Sequence, residues 1–210
     1  MDYITNSQKC NGNCITQRPC CGYHGKGLSC LNPETGKELW QVPWETDYGV
    51  NATTPVIQGD LVFHTSGYKK GAQTIRVSKN SYEVLWNSDV MAAQHSDAVL
   101  VDGYLYGYSG QSTRNKGQFK CVELVSGKEM WSTDEIGQGT CSYVDDHLIC
   151  LDLKGNLFLV KANSSSFQKV TEIEKAIEGV KSLAWTSPVI ANGKLYLRYM
   201  QQLICYDLMN

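Results

Sequence analysis

The chain has 210 residues, and its 19 basic and 21 acidic side chains leave a formal net charge of −2. That balance gives no electrostatic handle for nucleic acid, no block of like charges marks a polybasic membrane patch, and no apolar run approaches the length needed to span a bilayer. With 19 Gly, 12 Tyr and 5 Trp against 4 Phe, the composition favours many short strands joined by tight turns.

Residues 1–25 stand apart. The opening Met1-Asp2-Tyr3-Ile4-Thr5 has no basic region followed by an apolar run, so it does not read as a secretory signal peptide. Five of the nine cysteines (Cys10, Cys14, Cys20, Cys21 and Cys30) fall in the first thirty residues; Cys121, Cys141, Cys150 and Cys205 follow. An odd total leaves at least one thiol without a partner in the chain. Cys10, Cys14, Cys20 and Cys21 with His24 invite a metal reading, but their spacing is not that of a zinc ribbon or finger. Composition changes at Gly25, and residues 1–25 are expected to be an unstructured or aberrant segment outside the fold.

From residue 26 onward the chain repeats. Residues 27–40, 73–86 and 118–131 each read as a short strand, a polar turn and a strand ending in Trp. Trp40, Trp86 and Trp131 set a period near 45 residues, and Cys30, Arg76 and Cys121 lie ten residues before them. A second pattern interleaves with the first. Thr54-Pro55-Val56-Ile57-Gln58-Gly59-Asp60-Leu61 has a near copy at Ser187-Pro188-Val189-Ile190-Ala191-Asn192-Gly193-Lys194-Leu195, with weaker copies around Asp102-Gly103 and Asp145-Asp146. Each is an apolar strand, a turn of a type that needs positive φ, and a second strand.

Together the patterns give four strands per period, here named A, B, C and D. A four-stranded sheet repeated every 45 residues or so describes a β-propeller blade. The fold class is therefore all-β: a propeller of four-stranded antiparallel blades, about four of them present, as a partial arc of a larger ring of six to eight. Residues 27–42 supply C and D, blades follow at about 53–90, 95–135 and 139–173, and residues 185–207 supply A, B and C. Only residues 172–184 hint at a helical period, and they read as a degenerate D strand or loop.

The segment Leu28-Ser29-Cys30-Leu31-Asn32-Pro33-Glu34-Thr35-Gly36-Lys37-Glu38-Leu39-Trp40 resembles the pyrroloquinoline-quinone-like repeat. That repeat occurs in quinoprotein dehydrogenases, in the β-propeller lipoprotein of outer-membrane assembly and in many bacterial propellers. The run Trp185-Thr186-Ser187-Pro188-Val189, with the closing Cys205-Tyr206-Asp207, looks like a C-terminal blade of that group. The resemblance covers residues 26–210 and implies a periplasmic or otherwise extracytoplasmic location. It implies no single activity, because the repeat hosts enzymes and non-enzymes alike.

Trp40, Trp86 and Trp131 are expected to be structural, each covering the neighbouring blade with a large ring. Cys30, Cys121 and Cys205 share one place in strand C and are expected to be buried thiols. In some quinoprotein dehydrogenases a vicinal disulfide lies on the quinone, which makes Cys20-Cys21 a tempting pair, yet the rest of that cofactor pattern cannot be placed here. His64, His95 and His147 share no register and read as turn or strand-surface residues. The chain contains no Gly-x-Ser-x-Gly, phosphate-cradling Gly loop or His-Glu-x-x-His motif. Asn51 and Asn163 head glycosylation sequons. No catalytic, cofactor-binding or metal residue is assigned and no cofactor is expected. The reading is a non-catalytic scaffold or binding module for a protein or small ligand, the alternative being a remnant or relative of a quinone-dependent dehydrogenase.

Overall fold

The structure is a computed structural model and describes residues 20–111 and 116–209. Among these, eighteen strands form five antiparallel sheets, each a meander whose sequence neighbours pair in order. The first holds β1 (Cys20–His24), β2 (Gly27–Leu31) and β3 (Glu38–Pro43). The second holds β4 (Val56–Gln58), β5 (Leu61–Ser66), β6 (Gly71–Val77) and β7 (Tyr82–Ser88). The third holds β8 (Val99–Val101), β9 (Tyr104–Gln111), β10 (Lys116–Glu123) and β11 (Glu129–Thr133). The fourth holds β12 (Gly139–Val144), β13 (His147–Asp152), β14 (Leu157–Lys161) and β15 (Lys169–Ile173). The fifth holds β16 (Val189–Ala191), β17 (Lys194–Tyr199) and β18 (Gln202–Asp207).

Three complete blades thus stand between two sheets of three strands. The first sheet carries one strand more than its sequence pattern suggests. Residues 20–24, expected outside the fold, form β1 and pair with β2 from Cys20↔Leu31 to His24↔Gly27. The edge of β2 needs a partner for its backbone groups, and a polar, Cys-rich strand supplies it without any apolar alternation to betray it. Residues 1–19 lie outside the described residues. The stretch 174–188 is turn and coil, as expected for a loop.

Inner strands are buried on both sides because neighbouring sheets cover them. All six residues of β5 are buried, whereas every residue of β15 at the outer rim is exposed. The A–B turns have the backbone their sequences demand. Asp102-Gly103, Asp145-Asp146 and Asn192-Gly193 have positive φ at both central positions, matching type I′ hairpins. Behind each A–B turn one hydrogen bond recurs: Val77 to Asp60, Leu124 to Gly103, Ala162 to Asp146 and Leu208 to Gly193, at 2.8 or 2.9 Å from backbone N–H to carbonyl. This tie fixes the end of the C strand against the A–B turn in four successive sheets.

A second recurring device explains the tryptophans. The C–D ladder slips by one residue at the same place in four sheets, after the pairs Cys30↔Trp40, Thr74↔Trp86, Cys121↔Trp131 and Leu159↔Thr171. The extra D-strand residue is Leu39, Leu85, Met130 or Val170, so in the first three sheets the bulge re-aims two consecutive large side chains. The register also corrects one alignment. Arg76 is not the counterpart of Cys30 and Cys121; Thr74 is, because the second blade's C–D turn is two residues longer. Arg76 is exposed and pairs with Asp60 at 3.2 Å.

The indoles reach into the next blade. Trp86 Nε1 donates to the carbonyl of Leu124 at 2.9 Å, and Trp131 Nε1 donates to the carbonyl of Asn163 at 2.8 Å. Both acceptors lie just past a C strand one blade further along. Trp40 packs against Tyr82 of the second blade at 5.8 Å between ring centroids. The Trp86 ring occupies the space where a side chain on Gly127 would stand: a Cβ there would lie 2.5 Å from the indole. Gly36, at the matching turn of the first sheet, has nothing within 4 Å of that position. Cys30 and Cys121 are fully buried as expected, but Cys205 is exposed. Its strand β18 is the edge of the fifth sheet, with no D strand or further blade against it among the described residues.

Trp86→Phe keeps most of the ring but removes its donor, so urea unfolding is expected to show a loss of about 1 kcal/mol. Trp86→Ala should cost about 2–3 kcal/mol. Gly127→Ala should cost clearly more than Gly36→Ala: both positions have φ near +70°, but only the first meets an indole. Equal costs at the two glycines would rule out that packing.

Candidate functional site

Antiparallel order sorts the loops into two faces. A–B and C–D turns lie on one face, while B–C turns and the D-to-A connections between blades lie on the other. The second face carries the long, non-repeating segments 44–55, 89–98 and 174–188.

On it, aromatic side chains follow one another across the blades. Tyr48, 88% exposed, meets Tyr68 edge-on with centroids 5.6 Å apart. The Tyr68 hydroxyl accepts from Gln94 Nε2 at 3.0 Å. Next to Gln94, His95 stacks on Trp185 at 4.9 Å with the rings 21° from parallel. His95 precedes the third blade and Trp185 the fifth, so the pair spans two blades. Partial burial holds the His95 pKa below its ordinary value, favouring the neutral ring that stacks here. Trp185 remains 45% exposed. Lys70 Nζ lies 4.8 Å from the Trp44 ring, a cation–π distance.

The backbone beneath this track is unusual. Tyr48, Tyr68 and Lys69 all have positive φ, between 56° and 65°, a region that bulky residues rarely enter. Such conformations persist only where surrounding structure holds them, and they concentrate at ligand-binding positions.

A buried polar network supplies the hold. His64 is fully buried; its Nδ1 lies 2.6 Å from the Tyr23 hydroxyl and its Nε2 3.0 Å from Gln73 Oε1. Gln73 Oε1 can only accept, so Nε2 carries the hydrogen, and Nδ1 accepts from Tyr23. The ring is neutral with both nitrogens satisfied, and burial lowers its pKa to about 4. Trp44 meets the His64 ring edge-on at 4.7 Å and donates to Ser66 Oγ at 3.1 Å. Ser66 donates to Asn51 Oδ1 at 2.7 Å, and Asn51 Nδ2 donates to the carbonyls of His24 and Trp44 at 3.0 Å. The network therefore knits strands β1, β5 and β6 to the segment that presents Tyr48. Asn51, the head of one sequon, is occupied in these bonds.

Other sequence candidates fall elsewhere. His64 is not the surface residue expected, because its fixed neutral tautomer lets it be buried. His147 sits in the A–B turn of the fourth blade, Nδ1 2.6 Å from the Asp145 carbonyl. His24 Nε2 lies 2.9 Å from both Ser29 Oγ and Gln41 Nε2. Cys21, half-buried, faces Cys30 across the β1–β2 ladder. Among the described residues, no three His, Cys, Asp or Glu side chains converge as a metal site would require. A concavity of about 590 Å³ lies beside β14 and β15 and is lined mainly by charged groups. Three of those groups are engaged already: Asp152 accepts from the backbone of Lys154 and Asn156 and from Asn156 Nδ2, all at 2.8 Å, and Glu172 pairs with Lys169 at 2.6 Å. It reads as a solvated groove.

The His64 pKa gives a pH dependence. The unfolded chain takes up a proton near pH 6.5, whereas the folded chain resists it down to about pH 4. Stability should therefore fall as pH drops from about 6.5 to 4, by on the order of 3 kcal/mol from this residue. His64→Gln, which cannot titrate, should flatten that slope in urea unfolding followed across pH; an unchanged slope would contradict the buried neutral ring.

A family model described as outer membrane protein assembly factor BamB matches residues 24–210. None of the curated proteins matches the sequence. Among solved structures, BamB from Moraxella catarrhalis superposes with a TM-score of 0.63 at 12% identity, covering 89% of this chain and 52% of that one. A nidogen/laminin complex gives 0.52 at 12% identity, covering 87% and 68%. The computationally designed Ika8 protein gives 0.57 at 12% identity, covering 82% and 49%. The chain thus spans about half the length of the BamB structure that it matches. At these identities the likeness shows the fold alone. With all but the first residues covered by the family model, and blades, bulges and tryptophans in register, the chain belongs to the pyrroloquinoline-quinone-like β-propeller repeat family represented by BamB.

Proposed function

We propose that this chain is a non-catalytic propeller scaffold that binds a protein partner through the face carrying the D-to-A connections. The observation that supports this most directly is the run Tyr48, Tyr68, Gln94, His95 and Trp185: side chains from three inter-blade segments and one B–C turn, with Tyr48 and Trp185 exposed and Tyr48 and Tyr68 on strained backbone beside a buried polar network. Amphipathic aromatics bury much area at low entropic cost and offer polar edges, which is why they anchor protein interfaces. Rigid blades beneath variable loops suit the same purpose.

Family membership supports the reading, because the matching family model is named for a protein of outer-membrane assembly. The same likeness supports a site of action outside the cytoplasm. Among the described residues, no helix is long and apolar enough to cross a membrane.

A photo-crosslinking amino acid placed at position 48 or 185 is expected to give a discrete adduct in cells of the source organism. The same probe at position 143, near the A–B turn of the opposite face, should give none. Adducts from position 143 alone would overturn the choice of face. A visible chromophore and dye reduction after incubation with pyrroloquinoline quinone and Ca²⁺ would instead favour the dehydrogenase reading.

A further inference from the structure

We propose that Cys141 and Cys150 form a disulfide across the β12–β13 hairpin, a covalent clasp on the innermost strand of the fourth blade. The assignment is independent of the binding face proposed above.

The register carries it. Cys141 and Cys150 are direct cross-strand partners. The hairpin turns through Asp145-Asp146, both with positive φ, so it is a two-residue type I′ turn closed by Val144 and His147. In such a hairpin the closing pair exchanges both backbone hydrogen bonds, and pairs then alternate along the ladder. Tyr143↔Leu148 is non-hydrogen-bonded, Ser142↔Ile149 is hydrogen-bonded, and Cys141↔Cys150 is again non-hydrogen-bonded. That kind of pair brings Cα atoms to about 4.5 Å and side chains closest together. Disulfides span Cα separations of roughly 4.4–6.8 Å, so the ladder sets these two thiols, free in this structure, within bridging range.

Both residues point into the core between the third and fourth blades, with Tyr106, Tyr108, Phe119 and Phe158 around them. The two thiols interact directly, and Cys141 Sγ reaches the Tyr106 carbonyl at 3.9 Å. The fully buried Tyr108 hydroxyl has no hydrogen-bond partner of ordinary geometry and lies beside both sulfurs. Cys121, the other buried thiol of this cluster, stands opposite Tyr106 and Trp131 on its own strands, so the ladder offers it no cysteine. Burial and the neighbouring Cys141 raise the Cys150 pKa well above the ordinary thiol value. Both residues are buried, Cys141 at 6% exposure and Cys150 at 0%, and Cys141 is therefore assigned as the first to meet an oxidant.

The oxidant is a disulfide of the thiol-exchange class, such as oxidised glutathione or an oxidising dithiol protein. Cys141 thiolate attacks one sulfur of that disulfide and expels the other as a thiolate, leaving a mixed disulfide. Cys150 thiolate then attacks the Cys141 sulfur and expels the second thiolate. Two protons and two electrons leave the chain, and the oxidant ends as two thiols.

The test is to refold the full chain from urea in a glutathione redox buffer, and in parallel to treat the folded chain with oxidised glutathione. Remaining thiols are alkylated in denaturant, the chain is cut at Asp145 or Asp146 between the two cysteines, and the peptides are weighed. The expected result is a joined pair of peptides, lighter by two hydrogens than the separate thiol forms, that separates on reduction. In Cys141→Ser the partner Cys150 should be recovered fully alkylated, which shows that no other cysteine substitutes. Recovery of both residues alkylated from the wild-type chain under both treatments, or of either one joined to a different cysteine, would overturn the proposal.

Discussion

Everything in this arc depends on how one sheet meets the next. A blade alone is a twisted meander with two apolar faces and cannot bury both. The solution is repeated: a one-residue bulge in the D strand turns a large apolar residue and the following indole together toward the neighbouring blade. There the indole N–H finds the carbonyl of Leu124 or Asn163, and in one case the ring lies over a glycine in the turn. An amphipathic ring is suited to this place, because its apolar body fills the gap between sheets while its donor satisfies an orphan carbonyl. The Gly-Lys-Glu-Met-Trp run of the third blade serves both ends of the contact. Its glycine receives the indole of the blade before, and its tryptophan reaches the blade after.

Where the device is absent, other chemistry takes over. Thr171 stands where the fourth blade would carry a tryptophan, and Ala176, Ile177 and Ala184 from the connection to the fifth sheet fill the interface instead. Between the first and second sheets, a hydrogen-bonded network around His64 supplements the apolar cluster of Leu28, Cys30, Trp40, Val62 and Ile75. Buried polar groups of this kind rigidify only when each is satisfied, and here the tautomer of one imidazole decides it. The network lies beside the loops that hold Tyr48, Tyr68 and Lys69 at positive φ, so stability in the core and presentation at the surface are linked through the same residues.

The fold was legible in the sequence because its signals are periodic. Trp40, Trp86 and Trp131 set the repeat, turn dipeptides such as Asn192-Gly193 marked the hairpins, and the three complete blades lie where those signals put them. Errors arose where periodicity fails. Strand β1 shows no alternation; it forms because an adjacent edge needs pairing. Arg76 matched Cys30 and Cys121 by counting back from Trp, but a C–D turn two residues longer moves Thr74 into that place. Cys205 matched a buried position by alignment yet is exposed, since burial in a blade comes from the neighbour that covers it. The aromatic track was not legible at all. Its members come from one B–C turn and from inter-blade segments that share no repeat, and only folding brings His95 against Trp185.

The central claim is that indole and turn are one interaction seen from two blades, and a double-mutant cycle on Trp86 and Gly127 measures it most directly. If the ring occupies the space above the glycine, then Gly127→Ala should be much less costly in a Trp86→Ala background than in the wild-type chain, leaving only the penalty of its positive φ. Costs that simply add would show that the two residues act apart, and the account of how these blades are joined would fail.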